Sequence, residues 1–449
     1  MGATVHHAVV LDPEACKGCT NCIKRCPVEA IRVRKGKASI TAERCIDCGE
    51  CIRICPYKAK KADTETLAAI RGWDYAIALP APALLAQFDP AIPASAVYGA
   101  LRSLGFSAVV EVAEAAEIVA VATRAALAER SDGVTLISAS CPAVVRLIQV
   151  RYPSLLDNVV RVLSPMEVAA RIAKRRAREA GVKGRIGAFF LTPCPAKATA
   201  ARLPLGHERS EVDGAISLQD VYLPLLQALS GQGRTSGDGA PAPALRLRKT
   251  PTVAGAEGVR WARAEGESEG LRGVNAIAVD GIDRVVELLE QMENGVLSGV
   301  DFVEALACPG GCVGGPLTAV NQSIARSRVR LREAERLGSA ALAAPKDRFS
   351  ELSWTADVFS RPALQLHPDF TTASAMLEEL EKIAETLPGL DCGSCGAPSC
   401  RALAEDIVRG AAAPTDCIFI LRERLRSLTR ELMVLEDLEP PSLDHGGSA

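Results

Sequence analysis

The sequence predicts an α/β core with a mostly parallel sheet, preceded by a small α+β segment and followed by a small, mostly helical one. Three observations carry that prediction. Apolar runs alternate with helical stretches from residue 63 to 385, the pattern of strands joined by helical crossovers. Residues 1–62 state one cysteine pattern twice. Residues 386–449 hold a third, looser cysteine set, followed by leucines at steps of four and three. The expected domains are therefore 1–62, 63–385 and 386–449, in a chain of 449 residues that is too long for one ordinary core.

In the first segment Cys16, Cys19, Cys22 and Cys26 are followed by Pro27, and Cys45, Cys48, Cys51 and Cys55 by Pro56. Such spacing lets three thiolates of one loop close on one face of a cluster while the proline turns the chain away. It resembles the bacterial two-cluster ferredoxin run, in which the fourth cysteine of each run crosses over to the other cluster. On that pattern Cys16, Cys19, Cys22 and Cys55 hold one 4Fe-4S cluster, and Cys45, Cys48, Cys51 and Cys26 hold the other. Zinc sites do not use four thiols at this spacing twice over.

In the middle segment, strands are expected at Tyr75 to Leu79, at 133–138, at 185–191 and at Val274 to Val279. Helices are expected at Ala94 to Ser103, Glu114 to Ala128, 165–179, 217–229 and 282–294. Residues 231–252, rich in Gly, Pro, Ser and Thr, read as a surface loop. Arg171, Lys174, Arg175, Arg176 and Arg178 make one helix basic, which reads as a solvated face, with a docking patch for an acidic partner such as ferredoxin as the sharper reading.

Composition narrows the function classes. A net charge of −2 argues against nucleic-acid and membrane-surface binding. No apolar run approaches the roughly 18 residues of a membrane span, and the first residues lack a secretory pattern, so a cytoplasmic location is expected. In such a reducing compartment sixteen cysteines beside only five histidines point to thiolate metal sites, iron–sulfur before zinc.

The third cysteine set is Cys392, Cys395, Cys400 and Cys417, with glycines that allow tight turns around a cluster. Cys400 opens an expected helix from Arg401 to Arg409, whose N-terminus favours a thiolate. This set is read as a further 4Fe-4S site, with structural zinc as the alternative. Beyond it Leu421, Leu425, Leu428, Leu432 and Leu435 make a heptad-like helix, expected to pack on its own domain, or else to act as a dimer or transmitter helix. The tail from Glu439 is expected to be disordered.

Four cysteines belong to none of these sets. They lie in Ser138-Ala139-Ser140-Cys141-Pro142, in Thr192-Pro193-Cys194-Pro195-Ala196-Lys197, and in Cys308-Pro309-Gly310-Gly311-Cys312-Val313-Gly314-Gly315-Pro316. The first two stretches follow expected strands, which places their thiols where open α/β sheets bind ligands. Together they read as one metal-cluster pocket. Three such motifs behind a dicluster segment resemble the FeFe-hydrogenase family, over nearly the whole chain. The C-terminal quartet resembles that of a divergent, sensory branch.

The resemblance implies an α/β hydrogenase-like core between the ferredoxin domain and the C-terminal 4Fe-4S domain. It also implies an H-cluster, a 4Fe-4S cubane joined to a di-iron unit carrying carbonyl and cyanide. Cys141, Cys194 and Cys308 match the cubane ligands and Cys312 the bridging thiolate. Lys197 matches the lysine that donates to an iron-bound cyanide, and Glu304 the acid opening the third motif. Gly310, Gly311, Gly314 and Gly315 are expected to let the backbone approach the metal without side-chain clashes.

The departures concern protons. Ser140 stands where the family has a proton-relaying cysteine, and its hydroxyl is a poor acid or base near pH 7. Thr192, Ala200 and Leu306 replace motif residues, and an ungapped alignment puts Ala122 and Thr123 at two glutamates of the proton path. The implied function is slow, reversible reaction with H2, as a hydrogen or redox sensor. Protons, a redox partner such as ferredoxin, a signalling partner and hydrogenase maturation proteins are implied with it. The alternatives are a multi-cluster electron-transfer protein without the di-iron unit, and an offshoot acting in iron–sulfur protein assembly.

Overall fold

The computed structural model describes residues 6–131, 133–231, 254–337 and 351–436. The predicted surface loop at 231–252, past Gly231, and the tail from Glu439 lie outside them. No helix among the described residues is long and apolar enough to cross a membrane.

The N-terminal segment is built from β1 (Val9–Leu11), α1 (Asn21–Lys24), β2 (Ile31–Arg34), β3 (Lys37–Ile40), α2 (Glu50–Ile54) and β4 (Lys60–Ala62). Strands β1 and β4 pair antiparallel, as do β2 and β3. The β2–β3 hairpin turns on Lys35 and Gly36, both at positive φ, the tight two-residue turn that matches strand twist.

The core follows with β5 (Tyr75–Pro80), α3 (Ala94–Ser103), β6 (Ala108–Val109), α4 (Val112–Glu129), β7 (Leu136–Ile137), α5 (Pro142–Arg151) and α6 (Pro165–Glu179). It continues through β8 (Ile186–Thr192), α7 (Pro195–Arg202), β9 (Gly214–Ser217), α8 (Leu218–Ser230), α9 (Ala256–Arg260), β10 (Ala276–Asp280), α10 (Ile282–Glu293), β11 (Phe302–Leu306) and α11 (Gln322–Ala334). The predicted parallel sheet is two sheets, ordered β6-β5-β8-β9 and β10-β11-β7, with parallel pairing throughout.

In the first sheet both faces are buried. Ala76, Ala78, Phe189 and Leu191 pack on one side with α3 and α8, while Ile77, Leu79, Ala188 and Phe190 pack on the other with α4 and α6. This period-two split explains why β5 and β8 read as continuous apolar runs. The second sheet packs Ile137, Val303 and Ala305 against α5 and α10.

The strand predicted at 133–138 shrinks to β7. Gly133 is left-handed and Val134 N–H bonds back to Ser131, so the chain is still turning there. The basic helix α6 is only partly a solvated face. Lys174 is buried and pairs with Asp213 at 2.8 Å and Glu211 at 3.2 Å, while Arg176 donates to Glu114.

The C-terminal segment comprises α12 (Phe370–Thr386), α13 (Cys400–Val408) and α14 (Ile418–Glu436). Leu380, Leu387, Ala402 and Leu403 form its small core. Helix α14 packs there only at its start, through Ile420; none of its residues is buried, and Leu425, Leu432 and Leu435 are more than half exposed, against expectation. The segment rests instead on β2. Val33 N–H donates to Gly396 O at 2.8 Å, Lys24 to Pro398 O at 3.0 Å, and Asp406 accepts from Arg32 and Arg34.

Candidate metal centres

Three loops at strand ends, drawn from both sheets, bring four thiols together. Cys194 follows β8 of the first sheet; Cys141 and Cys308 follow β7 and β11 of the second. Cys141 and Cys194 are the N-caps of α5 and α7, each with proline in the first turn, where the missing N–H is no loss. Cys312 opens a short 3₁₀ turn, Cys312–Gly314. Burial pushes the Cys141 thiol up, the Cys194 thiol up to about 12 and the Cys308 thiol higher still, with neighbouring thiols adding to each. Left as free thiols they stay protonated; a metal is what exchanges for those protons.

Lys197, on α7, places Nζ 4.0 Å from Cys312 Sγ and 5.7 Å from the centroid of the Phe190 ring. Burial pulls its ammonium down, but Cys312, Cys194, Cys141 and Cys308 outweigh that and hold it above the ordinary lysine value.

The four glycines of the third motif do something other than expected. A Cβ on Gly311 would strike the backbone of Arg263 and Ala264, one on Gly314 the Pro309 carbonyl, and one on Gly315 the Pro193 carbonyl. They seat the loop against protein backbone. Gly310 alone has near-open space. Likewise Gly396 of the C-terminal quartet lies against the Val33 carbonyl.

Behind Ser140 the structure places two carboxyls. Ser138 Oγ donates to Glu267 Oε2 at 2.5 Å, Ser140 N–H donates to Ser138 Oγ at 3.1 Å, and Ser268 N–H donates to Glu304 on β11 at 2.8 Å. Glu267 and Glu304 are 4% and 2% exposed, and both belong to the interior. Burial first, then Glu304, pushes Glu267 up to about 8, against hydrogen bonds from Ser138 and Ser140; burial also raises Glu304. Glu267 was not singled out in the sequence, because Glu265-Gly266-Glu267-Ser268-Glu269 has no motif and reads as a solvated acidic loop. Ala122 and Thr123 are buried on α4 and carry no ionisable group.

The N-terminal segment closes one side of this pocket. Arg53 of α2 donates to Gly314 O at 2.6 Å, and a Cβ at Gly49 would lie 2.5 Å from Pro316 Cγ. Cys26, Cys45, Cys48 and Cys51 line one small pocket, and Cys26, Cys45 and Cys48 pack against the same core as Cys141 and Cys194. Cys16 and Cys22, of the outer quartet, lie in a separate small core, against which Cys55 and also Cys26 and Cys51 of the inner quartet pack. Cys392, Cys395, Cys400 and Cys417 line another small pocket.

The donor sets suit clusters better than single zinc ions. Zinc at about 2.3 Å from each of four thiolates holds the sulfurs roughly 3.8 Å apart. Among the described residues no three thiols gather within 4.8 Å of one another; the one trio of potential ligands that does is His7, Cys45 and Asp47. In that trio Asp47 is committed elsewhere, accepting from Ala8 and Val9 N–H and from Thr199 Oγ.

A family model described as iron only hydrogenase large subunit, C-terminal domain, matches residues 74–228 and 234–316, more than half of the sequence. This chain belongs to the iron-only hydrogenase family. A 4Fe-4S dicluster domain model matches residues 8–56 of this hydrogenase-family chain, and an Fe-S cluster model residues 387–419. It is thus an iron–sulfur, hydrogenase-like protein with an N-terminal dicluster ferredoxin domain. Among curated proteins, a component of the ion-translocating oxidoreductase complex is 50% identical in Rhodobacter capsulatus and 53% in Cereibacter sphaeroides, each over 38 residues. Those residues are 8% of this chain, which spans about a fifth of the length of the curated relatives it matches. Among solved structures, a variant of the FeFe-hydrogenase HydA1 of Chlamydomonas reinhardtii is 16% identical, with a TM-score of 0.44 over 60% of this chain and 86% of that one. The HydA(deltaEFG) structure is 17% identical, with a TM-score of 0.44 over 64% and 90%.

Proposed function

We propose that Cys141, Cys194, Cys308 and Cys312 hold an H-cluster and that the chain reacts slowly and reversibly with H2, as a hydrogen or redox sensor. When bound, such a group supplies hydrogen splitting at its di-iron unit and electron exchange at its cubane. The observation that carries the reading is the convergence of four thiols from three distant loops on one lysine, with Nζ against Cys312 Sγ. Lys197 forms no ion pair with a carboxylate among the described residues, and a half-buried ammonium is stabilised by an anion beside it; cyanide on iron is one.

The chain's own groups define what happens to protons. Ser140 adjoins Cys141, and its hydroxyl passes a proton only through a hydrogen bond. Glu267, between the two serine hydroxyls and Glu304, is the group that can hold a proton at neutral pH. The route is therefore Ser140, Glu267, Glu304, with the high pKa of the serine as the slow element. Electrons move through the quartet of Cys45, Cys48, Cys51 and Cys26, which shares a core with the pocket, to that of Cys16, Cys19, Cys22 and Cys55. The C-terminal quartet, resting on β2, is the exit toward a redox or signalling partner. Maturation proteins deliver the di-iron unit.

Infrared spectra and an iron count on protein purified without oxygen, from a host supplying maturation machinery, test this reading. Carbonyl and cyanide bands that shift under H2 are expected. Their absence with about sixteen irons, the content of four cubanes, replaces it with a multi-cluster electron-transfer protein.

A further inference from the structure

The internal repeat of the N-terminal segment holds at the level of backbone geometry, and at one position its chemistry breaks. Cys26-Pro27-Val28-Glu29-Ala30-Ile31 aligns with Cys55-Pro56-Tyr57-Lys58-Ala59-Lys60. Glu29 and Lys58 are both left-handed, at φ 48° and 50°. Ala30 N–H approaches Cys26 Sγ at 3.2 Å, and Ala59 N–H approaches Cys55 Sγ at 3.3 Å. Ile31 then enters the small core at 3% exposure. Its counterpart is a lysine, 2% exposed, opening β4 opposite Leu11 of β1.

Lys60 Nζ is buried and has no hydrogen-bond partner among the described residues. An ammonium withdrawn from water is unfavourable unless an anion compensates it. The thiols that feel its charge are Cys16 and Cys22 of the outer quartet and Cys51 of the inner one. A 4Fe-4S cluster bound by four thiolates is anionic, and more so when reduced, so it is the missing counter-charge.

We propose that Lys60 sets the reduction potentials of the two N-terminal clusters, its ammonium favouring the reduced form of both, and of the outer one more strongly. Ile31, besides touching the small core, lines the pocket of Cys26, Cys45, Cys48 and Cys51, the equivalent place beside the inner quartet. A lysine on one side only makes the two clusters unequal: the outer becomes the better electron acceptor. Electrons released in the pocket are then drawn outward, away from Cys308 and toward the surface. This inference rests on the two-cluster reading of the N-terminal segment and is independent of the di-iron unit.

The test is an EPR-monitored redox titration of the full chain, reconstituted with iron and sulfide without oxygen, for the natural protein, Lys60→Ile and Lys60→Arg. Two N-terminal cluster signals in the natural protein are the prerequisite, and their absence defeats the cluster reading before any variant is made. Lys60→Ile should lower the reduced fraction of the outer cluster about tenfold at fixed potential, a shift of about 59 mV for one electron. The inner cluster should shift less in the same direction. Lys60→Arg should retain the natural values. Unchanged potentials in Lys60→Ile overturn the proposal, as does an equal shift in Lys60→Arg. If Lys60→Ile fails to retain clusters, Ile31→Lys decides: a raised inner-cluster potential supports the mechanism and an unmoved one overturns it.

Discussion

Glu267 and Ser140 are the residues on which the proposed proton route turns, and each gives a separate test. Replacing the Ser140 hydroxyl with a thiol lowers the donor pKa by several units, toward the working range. Ser140→Cys should therefore raise H2 turnover in protein carrying its full cofactor, and unchanged turnover there would remove serine as the slow element. Glu267→Gln should lower turnover about 10²-fold or more, the scale of a lost proton-transfer group. Its effect on stability has a definite sign. Burial and Glu304 raise the folded carboxyl from 4.5 to about 8, against Lys197 and the serine hydroxyls, so the folded chain holds a proton that the unfolded chain releases. Stability is then greatest below about pH 4.5 and falls as pH rises toward 8. Glu267→Gln should flatten that fall, and thermal unfolding of both proteins at pH 5 and pH 8.5 measures it. The pocket cysteines, Lys197 and Glu304 were legible because motif spacing carries them. Glu267 was not, because its role comes from being folded under β11, and nothing local in the sequence marks an acidic loop residue as buried.

At the scale of elements, the sequence was most legible where burial is two-sided. The predicted helices at Ala94–Ser103 and 165–179 stand where expected, and β5 and β8 were recognisable as apolar runs. Short edge strands were less so: β7 pairs with β11 on one side and meets only a single bridge at Val159 on the other, and the turn at Gly133 consumes the start of the expected strand. The leucines of α14 misled in another way. Periodicity reports that a helix has an apolar stripe, and it is silent on whether the chain supplies a surface to cover it. Since no residue of α14 is buried, deleting residues from Glu423 onward should change unfolding stability by no more than about 0.5 kcal/mol and leave iron content intact. A large loss in either would show that the helix is covered after all.

The three segments interlock as a whole molecule, and no pattern within any one of them foretold it. Asp406 is the pivot between the first and the last. It is buried, accepts from Arg32 through both oxygens and pairs with Arg34, while Arg44 pairs with neighbouring Glu405. Removing one member of a buried pair strands the others. Asp406→Ala should cost on the order of 3 kcal/mol, at the low end of such losses because Arg34 is partly exposed. Limited proteolysis should then cut ahead of α12 at lower protease concentration than in the natural protein. Equal resistance would mean that the Val33 backbone and Lys24 side-chain contacts suffice to hold the segment.

The contact of Arg53 with Gly314 joins residues 261 apart in the chain. At ribosomal speeds of 5–20 residues per second, roughly 13–50 s pass between the appearance of the first and that of the second. During that interval the ferredoxin segment is complete while the wall that will cover Gly49 and the inner quartet has not been made. A cluster inserted there early stands open to oxygen on the side that Pro195 and Pro316 later seal. Newborn chains should thus pass through a brief window of oxygen sensitivity that the finished protein no longer has.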